Sequence, residues 1–297
     1  MVGLSICCII LSGGLSRRFR ESMGIEIDKA FYMLEGKPMI YHVYEKMLSL
    51  CDTKDIIISL RDYETVKLYR EKIPEAQYSV DIIGGSGPLI GLYSSLASCR
   101  GEIVISAPND MPYISSGLLR DLVDIVDRER SDVASPMLSN TVVENLIIAS
   151  KRDPLKRFLK LLISMKRSKA IDIIRGMPNI YLFNIQEHGY DDKTLANINT
   201  IRDLQKPRKP RKLVSSDISI ERSFDLYDIE NRILEKLKRS IWHTIFKQDP
   251  CDEYTYYLEK KSYYMAFQVF LDPTIRGLEN IRTMIKTALK ELFWEQE

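Results

Sequence analysis

The sequence predicts an α/β three-layer domain with a mostly parallel sheet, followed by a small all-α C-terminal unit. Three observations carry this. Short β-type runs alternate with helical patterns through the first two-thirds of the 297 residues. Several of those runs are apolar throughout, as strands covered on both faces require. Past a basic, proline-containing stretch, glycine all but disappears and apolar residues recur at helical spacing.

The first run, 6–11 (ICCIIL), leads straight into two glycines. Further strands are expected at 55–60, 80–83, 103–107, 132–136 and 146–149. Helices are expected at 39–49, 63–72, 89–98, 116–129 and 154–165. Such an order places ligands at the carboxyl ends of the strands. Residues 205–216, QKPRKPRKLVSS, hold two prolines that fix extended backbone and cannot continue a helix. The expected organisation is therefore a domain over 1–205, a linker over 206–216 and a helical unit over 217–297. In that unit Leu226, Ile229, Ile233, Leu237, Ile241 and Ile245 form one apolar stripe. Ile275, Leu278, Ile281, Met284, Ile285, Ala288, Leu289 and Leu292 form another, with the aromatic-rich segment 254–271 between them. Its aromatics, Trp242 and Trp294 among them, either fill the unit's own core or serve docking and dimerisation.

A net charge of +2 gives no reason to expect nucleic acid or a membrane surface as a partner. No run approaches the ~18 apolar residues of a membrane span. The apolar start lacks a basic n-region, so it reads as a first strand and not a signal peptide. Five scattered cysteines without CxxC spacing are expected to be structural and reduced, which suits a cytoplasmic protein.

Gly13 and Gly14 allow a tight turn and close approach of the backbone to a phosphate. Ser16, Arg17, Arg18 and Lys29 follow. Amide donors and cations together suit a nucleoside triphosphate, the competing reading being a glycine hairpin with solvated arginines. Asp81 ends a β-type run, and Gly87, Pro88 and Gly91 shape a second loop after it. Asp110 stands at the carboxyl end of the 103–107 run, placed either to hold Mg2+ or to cap a helix. Asn197 and Asn199 offer oxygens to a metal or phosphate, or simply shape a turn. Arg167, Ser168 and Lys169 meet an anion or form a solvated basic face. His42, His188 and His243 have no partner spacing and read as structural or surface residues.

Taken in order, these segments resemble the molybdenum cofactor guanylyltransferase family. Its LxGGxSxRMGxDK pattern stands here as Leu11, Gly13, Gly14, Ser16, Arg18, Phe19, Asp28 and Lys29. GPLxG is residues 87–91, DxP is 110–112 and NxNT is 197–200. Three departures stand out: a lengthened stretch between Arg18 and Asp28, Leu60 where many members have asparagine before the residue matching Arg61, and Asn109 before the DxP segment. The resemblance covers about residues 1–205. It implies a Rossmann-like nucleotidyltransferase that moves GMP from GTP to the terminal phosphate of molybdopterin, with magnesium and release of pyrophosphate. It implies catalytic roles for Arg18, Lys29 and Asp110, with Asp110 as metal ligand. Nucleotide contacts fall to Leu11, Ser12, Gly13, Gly14, Ser16, Lys29, Asp81, Gly87, Pro88, Gly91 and Asp110. Asn197 and Asn199 are candidates for pterin or a second metal. Partners beyond the substrates are molybdopterin-handling proteins or acceptor molybdoenzymes. Two other readings stay open: a cytidylyltransferase of the same fold, and an inactive nucleotide-binding adaptor working through its tail.

Overall fold

The computed structural model describes residues 5–24, 27–82, 87–128, 131–200, 203, 210–221, 250–275, 282 and 293–294. The strands are β1 (Ile6–Leu11), β2 (Met33–Leu34), β3 (Lys37–Pro38), β4 (Ile56–Leu60), β5 (Gln77–Val80), β6 (Ile103–Pro108), β7 (Val133–Met137), β8 (Ile148–Lys151), β9 (Asn179–Asn184) and β10 (Ile218–Glu221). All but the small β2–β3 hairpin join one eight-stranded sheet, in the order β10-β9-β7-β8-β6-β1-β4-β5. β1 lies between β4 and β6 and runs parallel to both, with Leu11 level with Ser59 on one side and Pro108 on the other. Three strand ends, and the loops that leave them, are thereby brought to one edge.

The mostly parallel sheet is as expected, with local differences. β5 ends at Val80, so the chain leaves the sheet before Asp81, and Ile82 is exposed. β8 runs antiparallel to both β6 and β7. The connection from β7 is too short for a parallel crossover, which needs a dozen residues or more. β9 and the antiparallel edge strand β10 were not anticipated, and β10 falls just past the expected linker.

The helices are α1 (Arg17–Met23), α2 (Met39–Leu48), α3 (Tyr63–Lys72), α4 (Pro88–Ser95), α5 (Ser116–Arg128), α6 (Arg152–Ser164), α7 (Ile171–Gly176), α8 (Pro250–Glu259) and α9 (Tyr263–Phe270). Alternation along β1 splits the core in two. Cys7 and Ile9 face a layer built by α4, α6, α7, α8 and α9. Cys8 and Ile10 face the layer of α2, α3 and α5. Among the described residues no helix is long and apolar enough to cross a membrane.

The expected helical stripes at 226–245 and 275–292 lie almost wholly outside the described residues, as do Trp242 and His243. The segment between them forms α8 and α9. Their Tyr257, Met265, Ala266 and Val269 are buried in the same core as Leu159 and Ile173. Residues 210–214 are tied down too: Arg211 N–H donates to Phe293 O at 3.1 Å, and the Leu213 and Val214 amides both donate to Ser139 O.

A buried ionic cluster joins these parts. Arg167 donates through Nε and an Nη to Asp172 at 2.8 and 2.9 Å, and through both Nη atoms to Asp272 at 3.0 Å each. Arg175 donates to Glu253 at 2.7 and 2.8 Å and to Asp272 at 2.7 Å. Burial works to raise the Asp272 carboxyl, but the bonds and charges of Arg167 and Arg175 hold it well below the usual carboxylate range. Arg167 is therefore not the solvated or anion-facing residue its sequence neighbourhood suggests.

Cys7 and Cys99 are paired as a disulfide, with Cα atoms 5.8 Å apart, where reduced thiols were expected. They stand 92 positions apart, so no local spacing announces the pair. Cys8, on the other face of β1, lies against Cys51 with sulfurs 2.8 Å apart.

Just past Cys99 the chain presses on the start of β1. A Cβ built on Gly101 would lie 2.5 Å from Cys7 N and 2.6 Å from Ile6 C. Both are backbone atoms, so relief requires moving a central strand. Gly101→Ala is expected to cost roughly 1–3 kcal/mol in urea unfolding, as overpacking does, whereas Gly189→Ala, with open space around it, would suffer only the strain of its positive φ.

Candidate active site

The carboxyl ends of β1, β4, β5 and β6 surround a cavity of about 600 Å³. Leu11, Gly13, Gly14, Ser16, Arg17 and Arg18 line it from the loop and helix that leave β1. Asp81 lines it from just past β5, and Gly87, Pro88 and Gly91 line it from the start of α4, since Pro88 and Gly91 are helical and not in the loop expected there; Lys29, Asp110 and Asn199 line it as well. Of the catalytic, nucleotide-contact and pterin candidates, Ser12 and Asn197 lie outside this wall. Ser12 borders a smaller neighbouring cavity.

The glycine loop is held from behind by a chain of side chains. Asn109 Nδ2 donates to Ser12 Oγ at 2.5 Å, and Ser12 Oγ pairs with the Tyr69 hydroxyl at 2.7 Å. Tyr69 donates to Asp28 Oδ2 at 3.2 Å, and Asp28 Oδ1 accepts from Ser16 Oγ and from Ala30 N. Burial, then the Asp28 charge, pushes the Tyr69 phenol far up, so it stays a donor. Ser16 itself has φ 51°, a left-handed conformation uncommon for a residue with a Cβ. At Gly14 a Cβ would meet nothing within 4 Å. Nothing among the described residues demands glycine there.

Asp28 also caps the short 3-10 turn Lys29–Phe31, which aims Lys29 inward. Lys29 is buried, and its Nζ donates to Asp110 Oδ2 at 2.6 Å and to Asn199 Oδ1 at 3.2 Å. The second Asp110 oxygen, Oδ1, is buried and has no hydrogen-bond partner among the described residues. Asp110 is not a helix cap: Ser115 Oγ takes that role for α5, accepting from Gly117 N and Leu118 N. Nor does Asn199 shape its own turn. The Asp203 carboxylate does so, accepting from the Asn199 and Thr200 amides at 2.8 and 2.7 Å. Backbone pairing of Ile198 N with Asp110 O, 2.9 Å, sets the two segments side by side.

One acidic group near this centre has no motif around it in the sequence. Glu144 is half-buried before β8, and Asn197 Nδ2 donates to it at 3.3 Å. Burial and the Asp110 charge push its carboxyl up to about 8. Asn197 therefore turns to Glu144 and not to the cavity. Asp81 is also raised, by burial, with Arg61 pulling the other way. Gly91 is needed to seat α4, since a Cβ there would lie 2.7 Å from Ser59 Oγ. The two described histidines take no part: His42 bonds Leu34 O, and His188 stacks on Phe183 at 4.0 Å and bonds Asp217.

Glycine amides and cations on one wall, facing a carboxylate on another, suit a polyphosphate between them. With this sheet they define a Rossmann-like nucleotidyltransferase. The chain belongs to the MobA-like NTP transferase domain family, whose profile matches residues 8–177. It is 27% identical over 216 residues to the molybdenum cofactor guanylyltransferase of Shewanella putrefaciens, which takes in 68% of this chain and 96% of that one. It is 28% identical over 204 residues to the probable molybdenum cofactor guanylyltransferase of Methanocaldococcus jannaschii, covering 67% and 96% of the two chains. The crystal structure of molybdopterin-guanine dinucleotide biosynthesis protein A from Archaeoglobus fulgidus shares the fold, with a TM-score of 0.55 at 22% identity over 67% of this chain and 94% of that one.

Glu144 gives this centre a pH signature. Its folded pKa, about 8, lies above the ordinary value of 4.5. Its stabilising contribution is thus complete below the unfolded pKa and is lost as the pH rises toward 8. In metal-free buffer the urea midpoint of the parent protein should fall between pH 5 and 8, and Glu144→Gln should remove that part of the slope.

Proposed function

We propose that the protein transfers GMP from GTP to the terminal phosphate of molybdopterin and releases pyrophosphate, in the presence of Mg2+. The names of its relatives support the substrates. The observation that carries the chemistry is Asp110, with Lys29 on one carboxylate oxygen and the other oxygen buried beside the cavity without a partner among the described residues. An orphaned, buried carboxylate oxygen is a strong ligand for a hard cation. Asp110, with Asn199 beside it, fits magnesium, which prefers one or two protein oxygens and completes its shell with phosphate and water. When bound, the ion would neutralise phosphate charge and orient the nucleotide.

The chain's own residues supply the rest. Lys29 and Arg18 face the β- and γ-phosphates, and the Gly13 and Gly14 amides add donors fixed in place before substrate arrives. Because a Cβ at Gly14 would meet only open space, the need for glycine there comes from the approaching phosphate. Asp81, beside Gly87, Pro88 and Gly91, accepts from the N1 and N2 donors of guanine. The acceptor phosphate attacks the α-phosphorus, a new P–O bond forms, and the bond to the β-phosphate oxygen breaks with its electrons leaving on pyrophosphate. With a second pKa near ~6 the attacking phosphate is already ionised, so no general base is required. In-line positioning and charge neutralisation do the work. Proteins that deliver molybdopterin or accept the finished cofactor are the partners this reading implies.

Thermal unfolding with GTP, CTP, ATP and UTP, each with and without magnesium, tests the proposal. At a hundredfold excess over Kd a ligand adds about 2.7 kcal/mol to the folded state. The melting temperature should rise with GTP and magnesium together and not with the other nucleotides. A preference for CTP would replace guanylyl by cytidylyl transfer. In Asp110→Ala the magnesium requirement of the stabilisation should disappear, and Lys29→Ala should lower kcat by roughly 10²–10³ in a pyrophosphate-release assay.

A further inference from the structure

We propose that Arg167 and Asp272 are positioning residues for the nucleotide loop, holding the turn at 166–170 against Gly87. The C-terminal helices thereby set the geometry of a cavity they do not line. The inference rests on the reading of residues 87–91 as part of the nucleotide site.

Gly87 precedes α4 with φ +130°, a conformation open only to glycine without strain, and no side chain caps the helix there. Its place is set by what it rests on. A Cβ on Gly87 would lie 3.1 Å from the Ser168 carbonyl oxygen and 3.5 Å from Ser168 Cβ, so residue 168 is the wall directly behind the loop. Ser168 belongs to the turn that ends α6, where Lys166 has φ 56° and the Lys166 and Arg167 amides return to Ile163 O and Leu162 O. The side chain that fixes this turn is Arg167. Its guanidinium plane is clamped between two carboxylates, Asp172 from the start of α7 and Asp272 from just beyond α9. Arg167 is 5% exposed and Asp272 0%, so neither is competed for by water. Asp272 is fixed in turn by Arg175 and by the Thr274 amide and hydroxyl. A path of short, buried, directional bonds thus runs from the chain beyond α9 to Arg167, and the next residue, Ser168, backs Gly87 by van der Waals contact alone.

Glu253 supplies the control. It is as buried as Asp272 and binds Arg175, but it makes no bond to Arg167. In the full chain, Asp272→Asn, Arg167→Lys and Glu253→Gln are compared by calorimetric titration of GTP with magnesium and by hydrogen exchange of the amides of Gly87, Leu89, Ile90 and Gly91. Titrations are run below the melting temperature of each variant. Asp272→Asn and Arg167→Lys are expected to raise the nucleotide Kd about tenfold and to speed exchange at 87–91 in the absence of ligand. Glu253→Gln, though destabilised, should stay within twofold of the parent in Kd. Equal weakening in all three would reduce the effect to general destabilisation and overturn the proposal. So would an unchanged Kd in folded Arg167→Lys, which decides the matter if Asp272→Asn does not fold. Should the parent bind no nucleotide, the substrate reading fails by itself, and unchanged exchange at 87–91 would separately overturn the role of the clamp.

Discussion

The structure depends first on where β1 lies. A strand in the middle of a sheet, parallel to both neighbours, delivers its own carboxyl end and those of its neighbours to a single edge. The glycine loop, the stretch after β4 and the Asp110 segment are neighbours for that reason alone. Both faces of β1 must also be covered, which is why ICCIIL has no polar residue and why its two cysteines point into different layers of the core.

The site built on this edge is held rigid by side-chain bonds that gather on Asp28 and is used through Lys29 and Asp110. Ser12, Tyr69 and Asn109 connect three elements, with only Asn109 of the three reaching the cavity wall, and Asp28 is the hub from which Ser16 and the Lys29 turn are both hung. Donors aligned in advance are what polyphosphate chemistry rewards, because no reorganisation is needed when charge moves. The elevated pKa of Glu144 follows the same economy: beside Asp110, burial favours the uncharged acid.

Much of this was legible in the residues, and the reasons for the gaps are physical. β1 and β6 announce themselves as unbroken apolar runs, and the glycines and Asp110 fall just after predicted strands, where the parallel-sheet rule looks for them. β8 was visible as a strand, but its direction is fixed by the length of the connection before it and not by its own residues. β10 alternates over only four positions, ISIE, too few to stand out beside a proline-rich segment. Glu144 sits in an unremarked stretch, VVENL, and draws its character from desolvation and the charge of Asp110, neither of which that stretch shows. Arg167 finds its partner 105 positions away, and Cys7 its own at 92. Pairings of that range leave no periodic trace, so the sequence offered only a basic tripeptide and two ordinary cysteines.

The shared ionic cluster also bears on how small this enzyme could be. A chain cut after Val214 would still contain every residue that lines the cavity. It would, however, leave two buried guanidiniums, Arg167 and Arg175, with Asp172 as their one acidic partner among the described residues. Losing one member of a buried pair typically costs 3–5 kcal/mol, and the lost faces of Tyr257, Met265 and Val269 would open the adjoining core to water. The shortest chain that folds is therefore set by where its buried charges are neutralised, well beyond the last residue that lines the cavity.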